Sequence, residues 1–80
     1  MKNILAMNYK KYIVRDPEVM LGKPTIRGSR ITVELIMRKL AKGYNIEELL
    51  KSYPHLKREQ ILAALEYAAE IIANEDTLVS

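Results

Sequence analysis

Gly43, Asn45 and Pro54 punctuate the second half of this chain tightly enough to constrain the fold more than any other feature. Upstream of Gly43, apolar residues recur at helical spacing and predict a first helix over 33–42. Thr32 suits its N-cap and Glu34 complements the positive end of its dipole. Leu35, Ile36, Lys39 and Leu40 form the inward stripe, with Lys39 at its edge. Gly43 then falls where left-handed backbone geometry follows a helix end. Asn45 caps a second helix, Glu48 completes a capping box, and Tyr44 is placed to staple onto Leu49. Ile46, Leu49 and Leu50 face inward, and Pro54 stops the helix because proline cannot continue one and restricts Tyr53 before it. A third, longer helix is predicted over 58–74. Its stripe of Ile61, Leu62, Ala64, Leu65, Ala68, Ala69, Ile71 and Ile72 covers roughly half the circumference. A stripe that wide offers two contacts, the first two helices on one side and a second subunit on the other. Short helix, brief turn at 53–56 and long helix together have helix-turn-helix spacing. The expected fold is mostly α, a homeodomain-like three-helix bundle preceded by short strands or a hairpin.

The first half is built differently. Tyr12-Ile13-Val14 is a short β-prone run stopped by the turn signal Asp16-Pro17. Gly22, Lys23 and Pro24 open a segment in which Pro24–Arg27 and Arg30–Thr32 flank Gly28-Ser29. With glycine first, that dipeptide suits a type II′ hairpin, which needs a positive φ there. In this register Ile26 and Ile31 share a face while Arg27 and Arg30 lie opposite each other, and like charges across a strand pair are destabilising. Either an anionic partner compensates them, or Gly28 breaks the strand and the arginines splay into water.

Eighty residues make one domain, divided into basic strands (1–31), a three-helix bundle (32–76) and a tail (77–80). So short a chain buries only about 60% of its unfolded surface and often gains stability by oligomerising. With 49% hydrophobic residues, a homodimer is expected. There is no cysteine, which excludes disulfides, thiolate zinc sites and thiol chemistry. No apolar run approaches the roughly 18 residues of a membrane span, and residues 1–7 are too short for a signal-peptide core. A cytoplasmic protein with no membrane association is expected. The net charge of +3 conceals an asymmetry: up to Lys42 ten basic residues face three acidic ones, and beyond it three face seven. A basic half suggests an anionic partner, nucleic acid or an acidic protein surface.

Catalytic and metal chemistry lack the residues they need. His55 is the single histidine, sits after Pro54 in a turn, and reads as a surface residue. Asp16 and Glu18 beside a proline make a poor metal site. Gly22-Lys23 lacks the upstream glycine of a phosphate-binding loop. No catalytic residue, metal or cofactor is therefore expected. The exposed face of the third helix carries Glu59, Glu66 and Glu70, which disfavour a phosphate-lined groove; only Lys57 and Arg58 at its start suit DNA. The candidate partner-binding residues are Lys23, Arg27, Arg30, Arg38, Lys39 and Lys42. Gly22, Pro24, Gly28, Gly43, Asn45 and Pro54 are read as structural turns and caps.

One further signal is the order of these residues. Asp16-Pro17, Gly22-Lys23-Pro24, Ile26, Gly28-Ser29-Arg30-Ile31, Gly43-Tyr44, Glu47-Glu48-Leu49-Leu50, Tyr53-Pro54, Leu56, Glu59, Ile61, Ala63-Ala64-Leu65 and Tyr67-Ala68 together resemble the domain of unknown function 433 family of small prokaryotic proteins. The resemblance implies a homeodomain-like helical fold behind short strands. It also implies an antitoxin-like role beside a PIN-like nuclease toxin, with possible self-regulation of the operon through operator DNA. Such nucleases hold a divalent metal with clustered carboxylates, which an inserted arginine would neutralise; Arg27 and Arg30 are the first candidates, then Lys23. The alternative is a helix-turn-helix transcriptional regulator with no toxin partner; a third reading is an interaction module using the stripe of the third helix. Ser29 stands where the family pattern has threonine, and Lys57 where threonine or serine would cap the third helix.

Overall fold

The computed structural model describes residues 9–79, with side chains described for 9–75. Lys2 and the expectation for residues 1–7 lie outside the described residues. A 3-10 turn over Tyr9–Lys11 leads into strand β1 (Ile13–Val14), and strand β2 (Thr25–Ile26) follows after a loop. Three helices complete the chain: α1 (Val33–Ala41), α2 (Ile46–Ser52) and α3 (Arg58–Val79). The architecture is the mostly helical one expected, three helices behind a short two-stranded sheet.

The strand pairing differs from the local hairpin read in the sequence. β2 pairs antiparallel with β1, Ile13 opposite Ile26 and Val14 opposite Thr25. The expected pairing across Gly28 survives as one bridge, Thr25 to Thr32, flanked by Ile26 N–H to Ile31 C=O at 2.8 Å and Val33 N–H to Pro24 C=O at 2.9 Å. The turn itself is shifted by one residue. Ser29 N–H donates to Ile26 C=O at 3.0 Å, so Arg27 and Gly28 are its central pair, and Gly28 takes φ 81° at the second of them. That is where a type II turn needs glycine, in place of the type II′ turn expected. Ser29 holds the turn with both atoms of its hydroxyl, donating to Ile26 C=O at 2.8 Å and accepting from Ile31 N–H at 3.0 Å.

The helix ends follow their local chemistry. Thr32 Oγ1 accepts from Leu35 N–H at 2.9 Å, and Asn45 and Glu48 form the reciprocal capping box at 2.8 Å each way. After α1, Gly43 N–H donates to Leu40 C=O and Tyr44 N–H to Lys39 C=O, the paired bonds of a Schellman motif with Gly43 at φ 101°. α3 runs to Val79, past the expected end at Asn74 and into the segment read as a tail.

The core gathers Ile13, Ile26, Val33, Ile36, Leu49, Leu56, Ile61, Ala63 and Ala64. It therefore lies between the sheet, the inner faces of α1 and α2, and the N-terminal part of α3. Thr25 and Thr32 are buried with it and hydrogen-bonded, Thr25 Oγ1 to Val14 C=O at 3.3 Å. From Ala69 to Glu75 every α3 residue is exposed.

Candidate functional site

The cations read as one basic surface fall into three local settings. Arg27 and Arg30 line an open groove between the hairpin turn and the loop after β1, together with Ser29, Asp16 and Val19. Arg27 does not splay into water as one reading had it. Its Nε donates to Lys11 C=O at 3.1 Å and its Nη2 to Lys10 C=O at 3.2 Å. A guanidinium has five N–H donors, so Arg27 terminates the 3-10 turn and still presents unused donors. The two arginines therefore need no anion to tolerate each other: one is turned onto backbone carbonyls. Arg30 is exposed and has no side-chain partner among the described residues.

Lys23 and Arg38 meet at Glu34, Nζ to Oε1 at 3.0 Å and Nε to Oε2 at 3.1 Å. These bonds hold the Glu34 carboxyl below the ordinary carboxylate range, the hydrogen bond from Lys23 contributing first and that from Arg38 second. One carboxylate balances only one of the two cations, so the cluster keeps a positive surplus. At the end of α1, the Lys39 ammonium lies 4.9 Å from the centre of the Tyr44 ring, within cation–π range. Lys42 is the C-cap, and its backbone N–H bonds Arg38 C=O. Of the two cations at the start of α3, Arg58 pairs with Glu47 of α2, while Lys57 is exposed.

Three features escaped the sequence reading. Met20 and Leu21 adopt left-handed backbone at φ 50° and 60°, which bulky residues rarely do. Leu21 sits at the tip of that turn with 91% of its surface exposed. It is an exposed leucine on strained backbone between Glu18 and Lys23, and no residue type in the stretch announces it. The second feature is Arg15, which joins the loop after β1 to α3 by donating Nε to the Tyr67 hydroxyl at 2.9 Å. Tyr9 meets the same ring edge-on at 5.5 Å. Third, Gln60 Oε1 accepts from Lys57 N–H at 2.8 Å, supplying half a capping box where the N-cap side chain supplies none; the glutamine three residues on was the available signal.

His55 is exposed and lines a crevice against Gly28, Ser29 and Leu56. Among the described residues no three His, Cys, Asp or Glu side chains gather to hold a metal ion. No helix among them is long and apolar enough to cross a membrane.

The segment that carries this hairpin and these helices, residues 13–68, matches the family model described as Protein of unknown function (DUF433), and the chain belongs to that family. It is 30% identical over 59 residues to the uncharacterised protein y4eO of Sinorhizobium fredii (strain NBRC 101917 / NGR234), a match covering 74% of this chain and 27% of that protein. The chain thus spans about a quarter of that relative's length. It is also similar to the crystal structure at 2.00 Å of a DUF433 member from Anabaena variabilis atcc 29413, with a TM-score of 0.74 and 29% identity over 99% of this chain and 85% of that one.

Proposed function

We propose that this chain is a non-enzymatic, antitoxin-like binding protein of the cytoplasm that docks on the acidic metal-binding cleft of a PIN-like nuclease toxin. The observation that supports the reading is Arg30, an exposed guanidinium without an internal partner, held beside Arg27 on a turn fastened from both sides. Holding the turn rigid lowers the entropy lost on docking. A guanidinium is also suited to bidentate pairing with carboxylates. Leu21, exposed on the loop that supplies Asp16 and Val19 to the groove, offers a further apolar contact.

Operator binding through the helix-turn-helix is the second reading, favoured by Lys57 at the start of α3 and opposed by Glu59, Glu66 and Glu70 along it. Salt-sensitive retention of promoter DNA by the purified chain, lost in Lys57→Glu and kept in Arg30→Glu, would transfer the function to that reading. For the leading one, the product of the neighbouring gene is co-expressed with wild-type and Arg30→Glu chains. Arg30→Glu should lose stoichiometric co-purification and growth protection while melting at the wild-type temperature. Unchanged protection by Arg30→Glu contradicts the proposal. Arg27→Glu is the less clean variant, because it also releases the carbonyls of Lys10 and Lys11.

A further inference from the structure

The inward face of α3 continues after the core has ended. Ile61 and Ala64 are buried, and Tyr67 and Ala68 are half-buried. Ile71 and Ile72, one turn further along the same face, are 39% and 56% exposed. They line an open apolar groove with Val33 and Met37 of α1 and with Pro24. Apolar side chains at core-facing helical positions mark a surface built to be covered, and no described element of this chain covers it.

The charges around the groove indicate what does. Its rim carries Arg15, whose partner is the neutral Tyr67 hydroxyl, and Lys23, which shares the single carboxylate Glu34 with Arg38. The rim therefore holds uncompensated positive charge. On the same face of α3 as Ile71 and Ile72 and one turn further on, Glu75 has no ion-pair partner among the described residues. Cations beside the groove and a spare carboxylate on the helix face that overhangs it are complementary when two copies are related by a two-fold axis. We infer that the groove seats the C-terminal half of α3 from a second copy of this chain, the two helices antiparallel with Ile71 and Ile72 near the axis. Each copy then lays its Glu75 against the other's Arg15 and Lys23, the self-complementary arrangement of an isologous dimer. The inference is independent of the toxin reading.

Sedimentation equilibrium of the whole chain should give twice the mass of the 9.2 kDa chain. Ile72→Glu should raise the dimer dissociation constant by about tenfold or more with the helical circular dichroism retained, since the side chain is already exposed. Leu62→Glu is the control: its 39% exposure equals that of Ile71, but it lies on the outer face of α3 and should leave the mass unchanged. The chain has no cysteine, so a single Ile72→Cys substitution gives a second readout that needs no loss of folding. Near a two-fold axis it should oxidise readily to a covalent dimer, and Leu62→Cys should not. A monomer at all concentrations overturns the inference. So does a dimer indifferent to Ile72→Glu, or a monomer in which Ile72→Glu merely lowers the melting temperature, the result expected if residues 1–8 of the same chain fill the groove.

Discussion

Lys57 occupies the N-cap of α3, where an ammonium accepts no hydrogen bond from the first-turn N–H groups. Gln60 reaches back to the Lys57 N–H, so only one half of the reciprocal cap is made. Lys57→Ser should supply the other half and add about 1 kcal/mol of stability, a rise of roughly 4–8 °C in the midpoint of a thermal melt for a domain this small. No rise would mean that the Gln60 bond already organises the turn. Glu34 is a second residue whose partners make a measurable prediction. Its folded pKa is depressed below the ordinary 4.5, so the stabilisation it brings is complete above that value and is lost as pH falls through the lowered one. All three side chains are about half exposed or more, which keeps the contribution small. In Lys23→Met, an NMR titration should find the Glu34 midpoint moved up toward 4.5, because the bond that contributes most has gone. An unmoved midpoint would show that the pair does not form in solution.

The helices and the strands differ in how much of their geometry is decided nearby. α1 begins at Thr32 and ends through Gly43, and both events involve residues no more than five positions apart. Gly43 illustrates the economy of that ending. Its φ of 101° is left-handed territory, and nothing lies within 4 Å of where a Cβ would stand. Gly43→Ala should therefore cost about 1 kcal/mol through backbone conformation and not through a clash, read as a lower urea midpoint with an unchanged slope. The strands are two residues each and take their partners from afar. Thr25 and Ile26 satisfy the hairpin pattern with Arg30–Thr32 and the ladder with β1 equally well by sequence. The ladder forms because Ile13 and Ile26 can both enter the core behind α3, and the hairpin is left with a single bridge. The one-residue shift of the turn follows: Arg27 must stay near β1 to bond Lys10 and Lys11, which places Gly28 third in the turn.

At the scale of the whole molecule, the division into a basic first half and an acidic second half is partly offset by pairing between charged groups. Folding gives several of the charged groups partners: Arg58 pairs with Glu47, Lys23 and Arg38 share Glu34, and Arg27 bonds backbone carbonyls while keeping its charge. Among the described residues, what remains exposed and unpaired is sparser than the sequence count, with Arg30 and Lys42 from the basic half and Lys51, Lys57 and the α3 carboxylates from the other. α3 shows the same limit in apolar terms. Its stripe was legible at once, together with the idea that one side serves a second subunit, but only the packed molecule reveals where the cover stops, between Ala68 and Ile71. By itself the sequence determined the number of helices, the caps and stops of α1 and α2, and the family, because each depends on residues within about one helical turn or on their order along the chain. It misplaced the end of α3 and counted Leu62, which is exposed, in the core stripe. Tertiary structure alone decided which strands pair, which cations keep a free guanidinium or ammonium, that Leu21 stands exposed on left-handed backbone, and that Arg15 reaches Tyr67. Those outcomes rest on groups far apart in sequence competing for the same partners, and the competition is settled only when the core has closed and each group meets what is left.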